Sequence, residues 1–135
     1  MRLKIVTASK TLVDLENITQ VNIPGIDGIL GILPGHINII TPLQIGILEY
    51  KTTENEKKVI AIKGGIAKVK ADYILILADE AEISDNLIKE QIEESIAKAE
   101  SKIASDKLEY TELIQLEKQL RYERLKKMHL DSDNA

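Results

Sequence analysis

Catalysis near neutral pH needs a nucleophile, a proton-transferring base or a metal site. This chain offers two histidines, His36 and His129, far apart in sequence and in no metal-ligand spacing, and it has no cysteine. The carboxylate pairs Asp79–Glu80 and Glu93–Glu94 could exchange a proton in principle, yet charge runs of this kind are usually solvated faces. Lys63-Gly64-Gly65 has a superficial likeness to a phosphate loop. The pattern GxxxxGK[ST] is missing, however, and these glycines join two predicted strands, not a strand and a helix. Gly25, Gly28 and Gly31 do not form GxGxxG, and tight turns between strands account for them. The reading is of a chain with no catalytic residue, no cofactor and no metal site.

Composition narrows the remaining classes. The 135 residues carry a formal charge of -4, which argues against a nucleic-acid binder with a net basic face. Hydrophobic residues make up 44% and charged residues 30%, the balance of a folded protein and not of a disordered one. No segment reaches the roughly 18 unbroken apolar residues that span a bilayer. The opening Met1-Arg2-Leu3-Lys4-Ile5-Val6 alternates like a strand and does not read as a signal peptide. Direct membrane insertion is therefore not expected. Without cysteine no disulfide framework exists, which fits a reducing compartment.

The elements that would carry any binding site change character once along the chain. Up to Ile83, short apolar runs are cut by Gly, Pro, Asn and Asp, which predicts an all-β unit. The expected strands are Leu3–Thr7, Thr11–Leu15, Ile18–Ile23, Gly28–Leu33, Ile37–Thr41, Gly46–Tyr50, Lys57–Ile62, Ile66–Lys70, Tyr73–Ala78 and Glu80–Ile83. Eight to ten short strands with frequent turns favour a flattened sandwich. Pro24-Gly25 and Pro34-Gly35 read as type II turns, and Thr52 to Glu56 as a polar hairpin tip.

From Ser84 onward there is no glycine or proline, and the apolar period shifts from about 2 to about 3.6. Ile88, Ile92, Ile96, Ala99 and Ile103 form one stripe of a first helix that Ser84 or Asp85 can cap. A second helix is expected near Asp106, where Asp106 and Glu109 have capping-box spacing, with Leu113, Leu116, Leu120 and Leu125 along it. The predicted organisation is a β-sandwich over residues 1–83, an antiparallel two-helix hairpin over 84–130 and a frayed tail over 131–135.

Several motifs then share one family likeness. Gly28-Ile29-Leu30-Gly31-Ile32-Leu33-Pro34-Gly35-His36 is similar to the segment ending in Leu-Pro-Gly-His in epsilon subunits of bacterial-type and chloroplast-type F-type ATP synthases. Lys63-Gly64-Gly65-Ile66-Ala67-Lys68-Val69 and Ile76-Leu77-Ala78-Asp79-Glu80-Ala81-Glu82 resemble the Gly-Gly strand pair and the Leu-Ala-Asp-x-Ala boundary of the same family, in the same order.

The resemblance implies a non-catalytic rotor subunit of the central stalk that couples proton flow to ATP synthesis. His36, Ile37 and Asn38 would meet the gamma subunit, and Asp27, Gly28 and Ile29 the membrane c-ring. A mobile hairpin would inhibit ATP hydrolysis by the alpha and beta catalytic subunits, with Lys118, Arg121, Arg124, Lys126 and Lys127 as its basic residues. Favourable pairing with the helix C-terminal dipole explains the same run of cations equally well. The implied location is peripheral, on the cytoplasmic face of a bacterial inner membrane or on a plastid thylakoid, with a monomer in isolation. One departure counts against ATP binding. In the stretch Leu87-Ile88-Lys89-Glu90-Gln91-Ile92, Ile88 and Gln91 stand where the family's ATP-binding signature has Asp and Arg. The competing readings are a nucleotide-sensing module and a generic oligomerising adaptor.

Overall fold

The computed structural model describes every residue except His36, Ile37, Asp106, Asn134 and Ala135, and only the backbone of Asp133. It divides into two compact units, Met1–Ile83 and Ser84–Ala135.

The first unit is a ten-stranded β structure: β1 (Arg2–Val6), β2 (Thr11–Leu15), β3 (Ile18–Gly25), β4 (Gly28–Ile32), β5 (Ile39–Leu43), β6 (Gly46–Thr52), β7 (Lys57–Ile62), β8 (Gly65–Lys70), β9 (Tyr73–Ala78) and β10 (Ala81–Ile83). Pairing follows the path β10-β7-β6-β3-β5-β8-β9-β1-β2, with β4 added on β3. The link between β3 and β5 is the single pair Gly25↔Leu43, so the path folds into two layers joined at that corner. Alternation along each strand fills the space between them. Leu3 and Ile5, Val21 and Ile23, Ile60 and Ile62, and Ile74 and Ile76 are all fully buried in one aliphatic core. At about 1.5–3 kcal/mol for each buried Leu or Ile, this core is the main source of the unit's stability.

The chain passes from β7 in one layer to β8 in the other through Lys63-Gly64-Gly65. Both glycines have positive φ, 131° and 136°. The Lys63 amide donates to Glu80 O and the Asp79 amide to Gly64 O, each at 2.9 Å, which straps the crossing to the β9–β10 turn. A β-carbon on Gly65 would fall on the Leu77 carbonyl oxygen. The Thr52–Glu56 tip forms as expected, with Thr52 N donating to Glu56 O at 3.0 Å and Glu56 N to Thr52 Oγ1 at 3.2 Å. Pro34-Gly35 is also a turn, with Gly35 at φ 81°.

Pro24-Gly25 is not a turn. β3 runs through both residues, pairing Pro24↔Ile29 and Gly25↔Gly28, and the loop is Ile26-Asp27. Pro24 is tolerated because its carbonyl is used, by Gln44 N at 3.0 Å, while the donor it lacks is not required there. The positive φ expected at Gly25 belongs instead to Gly28, at 126°.

The second unit holds a short 3-10 turn, Ser84–Asn86, then α1 (Lys89–Ile103) and α2 (Tyr110–Asp133). The helix start expected at Ser84 or Asp85 lies further on. Ile88 occupies the N-cap position of α1 with extended backbone and no side-chain cap, its aliphatic side chain having no acceptor, while Ser84 O accepts from the Leu87 amide within the 3-10 turn. In the predicted stripe Ile92 and Ala99 are buried, whereas Ile88 is 51% exposed. The second helix opens at Tyr110 with Leu113 N donating to Glu109 O, not near Asp106, which lies outside the described residues. α2 continues past residue 130 through Asp133, and Asp131 is fixed by an ion pair to Lys89, so the helix extends into the segment expected to fray.

The crossing at Gly65 gives a sharp stability test. Gly65→Ala combines a forbidden backbone region with a backbone clash and is expected to cost roughly 3 kcal/mol or more in urea unfolding. Gly35→Ala, with open space around its β-position, should cost only about 1–2 kcal/mol.

Candidate functional site

The outward face of the β5-β8-β9-β1-β2 layer can be built strand by strand from register. Pro42 pairs with Ile66, Ile66 with Leu77, and Leu77 with Val6, giving one cross-strand apolar row. The next row is Ile40, Lys68, Leu75, Lys4 and Asp14. The third brings Lys70, Tyr73 and Arg2 together. In the interior of these strands the pleat sends alternate residues inward, which is why Ala67, Val69, Ile74 and Ile76 are buried while their neighbours face out. Ile40 is 71% exposed, Ile66 48% and Leu77 49%. A solvated strand face is ordinarily polar. This one is apolar at one end and cationic at the other, the composition of a surface that another macromolecule covers.

At the basic end Arg2 is held in place. Its Nε and Nη2 donate to the two oxygens of Asp14 at 2.9 and 3.0 Å, and its guanidinium lies 5.3 Å from the centre of the Tyr73 ring. This bidentate bond holds the Asp14 carboxyl below its usual range.

The β3–β4 tip adjoins the apolar end. Ile26 N donates to Pro42 O at 3.1 Å, and the Gln44 side-chain Nε2 donates to Gly25 O at 3.0 Å, so the tip is anchored through its own backbone groups. It displays Ile26 and Ile29, 57% and 79% exposed, on either side of exposed Asp27 and Gly28. The three residues read from the sequence as a c-ring contact thus sit on one short tip. Of the gamma-contact trio, Asn38 is exposed just before β5, while His36 and Ile37 lie outside the described residues.

The five α2 cations are not equivalent. Lys118 and Arg121 are exposed. Arg124 Nη2 lies 3.1 Å from Glu100 Oε1 of α1, and Lys127 Nζ lies 3.7 Å from Glu93 Oε1 of α1. Lys126 differs from the expected solvent-facing cation, being only 4% exposed. Its Nζ lies 3.0 Å from Glu123 Oε1 and 4.7 Å from the centre of the fully buried Tyr122 ring, and Gln119 Nε2 donates to the same carboxylate at 2.9 Å. Burial of an ammonium is tolerable only with such partners.

Sequence reasoning missed this polar cluster, and it missed the apolar outer row. A signal for the row was present: Tyr73-Ile74-Leu75-Ile76-Leu77-Ala78 is apolar on both faces, whereas a one-sided sandwich strand would alternate with polar residues. For Lys126 no comparable signal exists, because its neighbours on the helix are as charged as those of any exposed lysine. Of the other residues weighed for chemistry, Glu93 pairs with Lys127, and Glu80 pairs with Lys63 at 3.4 Å. Among the described residues no three His, Cys, Asp or Glu side chains are grouped to hold a metal. No described helix is long and apolar enough to cross a membrane.

Comparison with known proteins points one way. Residues 1–84 match the family model for the ATP synthase Delta/Epsilon chain β-sandwich domain. The chain is 33% identical over 109 residues to the ATP synthase epsilon chain of Prochlorococcus marinus (strain SARG), covering 81% of this chain and 78% of that one. It is 35% identical to the epsilon chain of Carboxydothermus hydrogenoformans, covering 77% and 76%, and 33% identical to that of Bacillus subtilis, covering 78% of each. In fold it resembles a chain of the Euglena gracilis mitochondrial ATP synthase, at 24% identity and a TM-score of 0.79 over 95% of this chain and 79% of that one.

The Arg2–Asp14 pair carries a pH signature. Because the Asp14 pKa is depressed in the fold, its contribution to stability is present above about pH 3.8 and disappears as pH falls through the lower folded value. The stability difference between the wild type and Asp14→Asn in urea should therefore be constant at neutral pH and shrink below pH 3.8.

Proposed function

Because the chain belongs to the ATP synthase delta/epsilon family, we propose that it is the non-catalytic epsilon-type subunit of the central stalk, coupling proton translocation to ATP synthesis and restraining ATP hydrolysis. The observation that carries a binding role is the outward sheet face, where Ile40, Ile66 and Leu77 remain exposed beside a cationic end. Exposed aliphatic side chains on a rigid sheet supply association energy without the entropy of ordering a loop.

In this reading the gamma subunit takes the surface around His36, Ile37 and Asn38 and extends onto the Pro42–Ile66–Leu77–Val6 row. The c-ring takes the anchored tip at Asp27, Gly28 and Ile29. The hairpin turns the exposed and half-exposed cations of α2, Lys118, Arg121, Arg124 and Lys127, toward the alpha and beta subunits, while buried Lys126 stays with Glu123. The subunit is then peripheral to the membrane, on the cytoplasmic face in a bacterium or at the thylakoid in a plastid, and monomeric when isolated.

ATP itself is not a ligand in this reading. Ile88 is half exposed at the start of α1 and Gln91 is exposed, so the two signature positions present neither the acid nor the guanidinium that would meet a nucleotide. Calorimetric titration of the isolated subunit with ATP should show no submillimolar binding, and such binding would favour the nucleotide-sensing alternative.

Two further experiments test the proposal. Leu77→Glu, at a site already 49% exposed, should leave the unfolding midpoint almost unchanged while weakening gamma binding about 5- to 30-fold. The core of the first unit lies wholly within residues 1–83, so a chain ending at Ser84 is expected to fold. Added to a catalytic complex stripped of this subunit, the full chain should slow ATP hydrolysis, and the shortened chain should bind without slowing it. If neither form binds, the assignment to the stalk is wrong.

A further inference from the structure

Among the described residues, three ion pairs run across the hairpin in antiparallel order: Lys89 with Asp131 at 3.1 Å, Glu93 with Lys127 at 3.7 Å and Glu100 with Arg124 at 3.1 Å. Two of them engage cations that the inhibitory reading assigns to the catalytic subunits. Each pair occupies one donor and offsets part of the cation's charge, so a carboxylate on another protein has to compete with Glu100 for Arg124 and with Glu93 for Lys127. We propose that Glu93 and Glu100 are internal ligands that withhold Lys127 and Arg124, so that these two acids set how strongly the hairpin inhibits. This rests on the inhibitory reading given above and adds the competition that regulates it.

The pairs suit such a role. All four side chains of the two pairs are 40–58% exposed, so each pair is screened and individually weak, shifting an equilibrium by roughly 1.4- to 5-fold. They compete without trapping. Lys126 behaves otherwise, because its partner Glu123 lies three residues earlier on the same helix and the bond persists when α1 and α2 separate. The competition therefore sorts the five cations: Arg124 and Lys127 are released on separation, Lys118 and Arg121 are exposed throughout, and Lys126 stays bound to its own helix.

A double-mutant cycle in the full chain tests this, read as the concentration that half-inhibits ATP hydrolysis by the catalytic complex stripped of this subunit. Glu93→Gln with Glu100→Gln, isosteric and at exposed positions, should lower that concentration two- to tenfold, with helix content unchanged by circular dichroism. The same two changes made on top of Arg124→Gln and Lys127→Gln should give no gain. A wild-type chain that inhibits but shows no gain from the glutamine pair overturns the proposal alone, as does a gain that persists without Arg124 and Lys127. A wild-type chain that binds and never slows hydrolysis overturns the inhibitory reading and this proposal together.

Discussion

The close approach of two backbones at Gly65 governs the arrangement of the first unit. β8 enters its layer so near to β9 that a side chain at residue 65 would meet the Leu77 carbonyl, and the φ of 136° there is one that only glycine adopts readily. This contact fixes the register Gly65↔Ala78 and Ile66↔Leu77. Side chains alternate with period 2, so a slip of β8 by one residue would turn Ile66 inward and expose Ala67 and Val69. Both the integrity of the core and the composition of the outer face descend from that single constraint.

The outer face is then a consequence of strand chemistry and not of loop placement. β9 is aliphatic on both sides, which is what a strand looks like when protein covers both of its faces. Its inner side is satisfied by the opposite layer, and its outer side continues through Ile66 and Pro42 to the anchored tip at Ile26 and Ile29. Side chains on paired strands lose little freedom on association, whereas the same residues on a mobile loop would spend part of their binding energy on becoming ordered.

Much of the first unit was legible in the sequence because alternation and turn residues are local signals. Lys57–Ile62 and Tyr73–Ala78 could be bounded to the residue, and Gly-Gly marked the crossing. The Pro24-Gly25 reading failed because a turn dipeptide can also end a strand when hydrogen bonding does not require the missing donor. In the second unit the helical period was clear but the ends were not. Ser84 and Asp85 look like caps in sequence, and only the 3-10 turn shows that the helix begins at Lys89. The binding surface was the least legible part. Rows such as Ile40 beside Lys68 exist only once non-adjacent segments pair, and the cross-helix partners of Arg124 and Lys127 lie more than twenty residues away in the chain.

The two units draw on apolar burial in different measure. In the first, stability comes from a buried aliphatic core and backbone geometry that tolerates few alternatives. In the second, fewer apolar side chains are buried, Ile92, Ala99, Leu120 and Tyr122 among them, α1 starts without a side-chain cap, a deficit of about 1 kcal/mol beside a capped helix, and its described ion pairs to α2 are half in solvent. Elements of that kind occupy the low end of a protein's local stability, from which mobile and regulatory segments are drawn. Interactions that are each worth a fraction of the total can be exchanged one for another at little net cost. If α2 exchanges one set of carboxylates for another as proposed, it needs bonds of that strength, and stronger ones would hold it shut.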